Sequence, residues 1–208
     1  MLSERGLAKI AVMVSGGGTN LQALIDAEAA GIIHSGRISL VLSNKADAYA
    51  LERARRAGIP TAVIERKGCA DKADFEQRII DTLDGAGIDI IVLAGFMCIL
   101  SESFTTHYKD RIINVHPSLI PSFCGEGFYG LHVHEAALAY GVKVSGATVH
   151  FVNEIPDGGR IIMQRAVEVK DGDTPETLQR RIMEEAEWKI LPEAVEQVSA
   201  KIAKENSK

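Results

Sequence analysis

Lys9-Ile10-Ala11-Val12-Met13-Val14-Ser15-Gly16-Gly17-Gly18-Thr19-Asn20 decides the fold. An apolar run enters three glycines, and Leu21, Leu24 and Ile25 then recur at helical spacing. The stretch reads as strand, glycine loop, helix. Glycines let a ligand approach the backbone closely, and free amides at the positive end of the following helix attract a phosphate. Leu21 stands where the third glycine of a dinucleotide fingerprint belongs, and the P-loop pair of lysine and hydroxyl is missing. A monophosphate site is therefore favoured over a dinucleotide site, and a tight turn without ligand is the other reading.

Outward from this unit the pattern repeats. Arg37 to Ser43 reads as a second strand, Ala48 to Ala57 as a helix closed by Gly58, and Thr61 to Ile64 as a third strand. Lys72 to Ala86 carries Phe75, Ile79, Ile80 and Leu83 on one helical face, and Ile88 to Leu93 is a buried strand. Alternating strands and helices imply a parallel sheet. Val142 to Val152 and Arg160 to Val169, joined by the turn Asn153 to Gly159, read as an antiparallel pair. Thr174 can cap a last helix with Pro175 at its first position, running through Leu178, Ile182, Ala186 and Ile190. Pro192 should kink or interrupt that helix, and the polar tail from Lys201 should fray. The expected fold is α/β: an open, Rossmann-like, mostly parallel sheet with helices on both faces and an antiparallel edge formed by the late strands. One domain, 1–208, is expected, with the glycine loop in the half 1–100 and the catalytic loops in 101–208.

Composition narrows the functions. With 46% hydrophobic and 25% charged residues, the 208-residue chain is long enough for a sizeable core and has an ordinary globular balance. No apolar run approaches a membrane span, and Met1-Leu2-Ser3-Glu4-Arg5 lacks the apolar core of a secretory signal, so a cytoplasmic location is expected. Cys69, Cys98 and Cys124 lack metal-ligand spacing and read as reduced thiols, so no metal is expected. A formal charge of -5 argues against nucleic acid as a partner and leaves anion binding to backbone amides.

The chemistry is placed at Ile113-Asn114-Val115-His116-Pro117-Ser118-Leu119-Ile120-Pro121. Asn114 and His116, two residues apart on a strand, share one face, and Pro117 restricts the backbone that aims the imidazole. Amide donor and titratable ring together suit a site beyond the carboxyl end of a strand; a strand-end histidine satisfied by a carbonyl is the alternative. Ala94 to Ser101 reads either as an apolar pocket wall or as core ending in a serine cap at Ser101. Ser122 to Gly130 is a glycine- and aromatic-rich loop. Leu131 to His134 lead from it into a short helix, His132 and His134 being surface groups or substrate contacts rather than metal ligands.

Four motifs stand in order: Ser15-Gly-Gly-Gly-Thr-Asn20, Leu93-Ala-Gly-Phe-Met97, Asn114-Val-His-Pro-Ser-Leu-Ile-Pro121, and Asp157-Gly-Gly159 after Val149-His-Phe-Val152. Together they resemble the phosphoribosylglycinamide formyltransferases, folate-dependent enzymes of purine synthesis, from about Ile10 to Pro192. The resemblance implies transfer of a formyl group from 10-formyltetrahydrofolate, as co-substrate, to the amine of glycinamide ribonucleotide, without metal, by a monomer or homodimer. It implies Asn114, His116 and Asp157 as catalytic, with Asp157 raising the pKa of His116. It gives Gly18, Thr19 and Asn20 to the substrate phosphate and Glu187 to the amino and ribose end. The folate falls to Lys72, Met97, Cys98, Ile99, Leu100, Asn114, Glu154, Ile155, Pro156, Asp157, Gly158 and Gly159.

The same resemblance exposes departures. The loop Ser122 to Gly130 is about five residues longer than the common form. Cys98 stands where arginine is frequent, and Arg160, where proline is usual, could loosen the turn. Glu184 replaces a basic or amide residue and would repel phosphate unless it points away or Arg180 or Arg181 compensates. A hydrolase or formyltransferase with another acceptor, or a non-catalytic relative that only binds ligand, are the competing readings.

Overall fold

The computed structural model describes residues 6–206. Its first strand, β1 (Ala8–Val14), divides its apolar residues between two cores: Ile10, Val12 and Val14 enter one, Ala11 and Met13 the other. Successive strand side chains point to opposite faces, so a strand covered on both sides is an unbroken apolar run.

Seven strands form one sheet in the order β3-β2-β1-β4-β5-β6-β7. β2 spans Gly36–Ser43, β3 Thr61–Val63, β4 Ile90–Leu93, β5 Ile112–His116, β6 Val144–Phe151 and β7 Ile161–Glu168. The first five strands run parallel, and β6 and β7 add the antiparallel edge expected from the sequence. The helices are α1 (Thr19–Ala29), α2 (Tyr49–Arg56), α3 (Lys72–Gly85), α4 (Glu102–His107), α5 (Leu131–Tyr140), α6 (Pro175–Ile182) and α7 (Trp188–Asn206). α1, α2, α6 and α7 bury Leu21, Leu51, Leu178 and Leu191 in one core; α3 and α4 bury Phe75 and Phe104 in the other.

Helix starts follow the cap chemistry. Asp71, Ser101 and Thr174 accept from the amides of Asp74, Phe104 and Thr177. Ser101 therefore caps α4, although Met97 and Ile99 before it are exposed rather than core, and Leu131 to His134 prove to be the first turn of α5 itself.

The late helix departs from expectation at two points. The interruption comes not at Pro192 but before it, in a π turn over Met183–Glu187, where the Trp188 amide reaches back five residues to the Met183 carbonyl. Proline cannot donate to the carbonyl four residues back and crowds it. The wide turn eases the chain just ahead of that position, and α7 continues through Pro192. The segment from Lys201 does not fray: it is helical to Asn206, because Ile202 and Ala203 extend the buried stripe of Val195 and Val198.

Candidate active site

β1 and β4 are neighbours, yet the chain leaves β1 toward β2 on one side and β4 toward β5 on the other. Such a switch opens a crevice beyond the carboxyl ends of the strands. The glycine loop and the loop after β4 flank it.

The glycine loop is tied back to α2. Gly16 O accepts from Ala50 N at 3.0 Å and Gly17 O from Arg53 Nε at 2.8 Å. A trans peptide carries its C=O and N–H on opposite sides, so the Gly17 and Gly18 amides face away from α2. Consecutive amides presented in this way form an anion-binding concavity. Gly18 caps α1 at φ 72 with no side-chain cap, and the first turn holds no acidic residue. A Cβ on Gly18 would stand 2.6 Å from Ala50 Cβ, whereas beside Gly16 and Gly17 the space is open.

Behind the loop, Asn20 Nδ2 donates to Glu187 Oε2 at 2.7 Å, bringing together two residues far apart in sequence. Burial pushes the Glu187 carboxyl up to about 6, against the Asn20 hydrogen bond. Thr19 Oγ1 lies 3.9 Å from Met183 Sδ. Glu184 is exposed. Arg181 is not available to offset it, because its guanidinium makes two 2.6 Å hydrogen bonds to Asp173.

The loop after β4 is pinned at both ends. Met97 N donates to Ser15 Oγ at 2.8 Å, Ser15 Oγ donates to Asn44 Oδ1 at 2.7 Å, and Asn44 Nδ2 donates to Cys98 Sγ at 3.1 Å. At the far end the buried Glu76 carboxylate accepts from Ser101 N at 2.9 Å and from the Ser101 hydroxyl. Lys72 Nζ sits 3.7 Å from Glu76 Oε1. Met97 and Ile99 are exposed while Leu100 is buried, so the loop presents apolar side chains between fixed ends.

The third wall is β5 with the turn after β6. Pairing sets Asn114 opposite His150 and His116 opposite Thr148. His150 Nδ1 donates to Phe151 O at 2.8 Å, and its Nε2 accepts from Asn114 Nδ2 at 3.2 Å. His116 is buried, with Nε2 donating to Phe123 O at 2.8 Å and Nδ1 3.4 Å from Asp157 Oδ2. Asp157 Oδ1 is 3.5 Å from His150 Nε2, and Oδ2 accepts from Gly125 N at 2.9 Å. Asn114, His116 and Asp157 thus meet as one cluster.

Asp157 raises the pKa of His116 as expected, but the net shift runs the other way. Burial lowers the pKa of His116 and outweighs Asp157 and the Phe123 carbonyl, which raise it. Burial pushes Asp157 up, but the neighbouring His150 and His116 rings and the Gly125 amide together hold it below its ordinary value. The centre is therefore a carboxylate held ionised beside an imidazole whose burial favours the neutral form and whose carboxylate neighbour favours the charged one.

Asp157 adopts φ 56, and Gly159 has no room for a Cβ, which would stand 1.7 Å from Phe151 O. Glu154, Ile155, Pro156 and Gly158 form the exposed rim of this turn. Arg160 does not loosen it: its carbonyl accepts from Phe151 N at 2.9 Å and its guanidinium lies 4.6 Å over the Phe151 ring. His132 is exposed and 3.0 Å from Glu135, whereas His134 is fully buried rather than a surface group. Burial first, and His116 second, lower the His134 pKa to about 4. His150, Phe123, Gly125, Ser15, Asn44 and Arg53 were missed from sequence. His150 left a signal in the alternation of β6, and Ser15, Phe123 and Gly125 lie in stretches that were singled out without a role for them.

A glycine loop with outward amides, a pinned apolar loop and a histidine–carboxylate pair, all beyond the carboxyl ends of parallel strands, suit an enzyme that acts on small molecules. The comparisons agree: the Formyl transferase family model matches residues 8–195. The chain belongs to the formyl transferase family. It is similar to a phosphoribosylglycinamide formyltransferase of Haemophilus influenzae, 44% identical over 89% of this chain and 84% of that protein. It is 47% identical to the human trifunctional purine biosynthetic protein adenosine-3 over 95% of this chain, but spans only 19% of that protein's length. Its fold matches the crystal structure of glycinamide ribonucleotide transformylase 1 from Symbiobacterium toebii, with TM-score 0.88 and 42% identity over 94% of this chain and 89% of that one.

Proposed function

We propose that this protein transfers the formyl group of 10-formyltetrahydrofolate to the amine of glycinamide ribonucleotide, a step of purine synthesis. It does so as one domain, 1–208, in the cytoplasm, as a monomer or homodimer. The observation that carries the reading is the convergence of Asn114, His116 and Asp157 at the end of the crevice that the glycine nest and the Met97 to Leu100 loop flank. The nest and Asn20 receive the phosphate, Glu187 the amino and ribose end, and the pinned loop with the Glu154 to Gly159 turn receives the folate. Lys72 lies beside Glu76, at the edge from which it would reach the folate tail.

In the reaction the amine nitrogen bonds to the formyl carbon, the bond from that carbon to N10 of the folate breaks, and the proton shed by the amine ends on N10. Negative charge grows on the formyl oxygen in between. Asn114 keeps a second amide hydrogen beyond the one given to His150, and His116 offers Nε2–H once the Phe123 carbonyl yields it. Asp157, held ionised, stabilises positive charge as it develops on the ring, and so keeps His116 competent to relay the proton. Burial strengthens each of these interactions.

Release of the folate product, followed by absorbance with and without glycinamide ribonucleotide, tests the reading. Release should require the ribonucleotide and fall about 100- to 1000-fold in His116→Ala, as for loss of one donor to a developing oxyanion. Release without the ribonucleotide would mean that water is the acceptor, and a His116→Ala enzyme with half the wild-type rate would remove His116 from the mechanism.

A further inference from the structure

The glycine loop leans on α2 through two hydrogen bonds, and one of them comes from a side chain. Arg53 Nε donates to Gly17 O at 2.8 Å, Arg53 Nη1 donates to Gln22 Oε1 at 3.1 Å, and the guanidinium stands 5.1 Å from the centre of the Tyr49 ring. One planar fork therefore joins α2, the loop and α1, and a fork held at three points has a fixed plane. Gly18 packs against Ala50 of α2, whereas no atom stands where a side chain on Gly16 or Gly17 would be, so at those two residues the hydrogen bonds to α2 set the course of the loop.

We propose that Arg53 is a positioning residue for the phosphate of the substrate. By holding the Gly17 carbonyl toward α2, it turns the Gly18 amide of the same peptide toward the anion. The inference rests on the reading of this loop as the phosphate site. A carbonyl released from Arg53 is free to rotate into the nest, where its oxygen would face the phosphate and its amide would face away. The pull on the carbonyl also polarises the peptide and strengthens its N–H as a donor. The guanidinium also adds positive charge behind the loop. Lysine cannot substitute fully, since one ammonium does not hold Gly17 O and Gln22 Oε1 in a fixed fork.

Arg53→Ala should raise KM for the ribonucleotide about 10- to 100-fold, the weight of a charge-assisted hydrogen bond and its geometry. KM for the folate should stay within about twofold. Arg53→Lys should recover only part of the loss. The independent readout is titration of the protein with inorganic phosphate, followed by the amide resonances of Gly17 and Gly18. Both should shift in the wild type, and the Gly18 response should weaken in Arg53→Ala. If that variant does not fold, Gln22→Leu, which frees one arm of the fork, should give a smaller effect of the same sign. An unchanged ribonucleotide KM, equal rises in both KM values, or wild-type amides indifferent to phosphate would each overturn the proposal. Amides that respond to phosphate in a protein that transfers no formyl group would leave it standing and remove the proposed function instead.

Discussion

At Glu187, burial pushes the carboxyl up to about 6, and the Asn20 amide 2.7 Å away answers the charge with one hydrogen bond. A carboxyl whose pKa is raised on folding contributes stability below its unfolded value, near 4.5, and loses it as pH rises through the folded value. At neutral pH the ionised group therefore works against the fold. The difference between 4.5 and about 6 corresponds to about 2 kcal/mol. Glu187→Gln, which keeps an acceptor for Asn20 and removes the charge, should be more stable than the wild type at pH 7.5 by about this amount in urea unfolding. Its KM for the ribonucleotide should rise at the same time, by about tenfold for a lost charged contact. A glutamine variant less stable at pH 7.5 would show that the carboxylate holds the fold together rather than the substrate. Asp157, at φ 56 beside two histidines, has the same character of a residue strained by its placement at a site.

The connection from β1 to α1 shows which glycines the fold itself requires. Gly18 lies at φ 72 with Ala50 Cβ 2.6 Å and Ala50 Cα 2.9 Å from where a Cβ would be, so Gly18→Ala must move α2 away from α1. A loss of about 1–3 kcal/mol is expected, while Gly16→Ala, with open space beside it and no positive φ, should unfold within about 0.5 kcal/mol of the wild type. Equal losses at the two positions in thermal or urea unfolding would contradict this division. Elements of this kind were legible in the sequence because period, cap and turn agree locally: the glycine loop, the Ser101 and Thr174 caps and the alternation along β6 each follow from neighbouring residues. The π turn at Met183–Glu187 was not legible, since a helix that takes in one extra residue keeps the same apolar recurrence on either side. Nor was the pairing of Asn114 with His150, which depends on the register of β5 against β6 and so on a contact 36 residues apart. The two backbone contacts from the loop 122–130, Phe123 O to His116 and Gly125 N to Asp157, were hidden for the same reason. Sequence names side chains, and these contacts are made by the main chain.

Across the whole molecule the sheet sets two buried titrations against each other. His134, on the first turn of α5, has its pKa lowered to about 4 by burial and then by His116, while Glu187, next to α7, is raised to about 6. The signs follow from linkage. A lowered histidine contributes stability that is complete above its unfolded value of 6.5 and is lost as pH falls toward about 4, up to about 3 kcal/mol. His116, also lowered, adds a loss of the same sign. Glu187 does the reverse, since its penalty disappears as pH falls through about 6 toward 4.5. The wild type should therefore lose stability gently between pH 7 and pH 5, because one buried group offsets the other. Glu187→Gln removes the compensating group, so its stability should start higher at pH 7.5, fall more steeply on acidification and meet the wild type near pH 4. His134→Phe should flatten the acid limb, since no imidazole remains on α5's buried face to be charged. Denaturant unfolding of the three proteins at pH 7.5, 6, 5 and 4 decides the matter by slope rather than by absolute stability, which frees the comparison from any packing cost of the phenylalanine. Parallel curves for all three would mean that neither Glu187 nor His134 titrates against the fold, and that the acid limb belongs to His116, Asp157 and the other carboxylates.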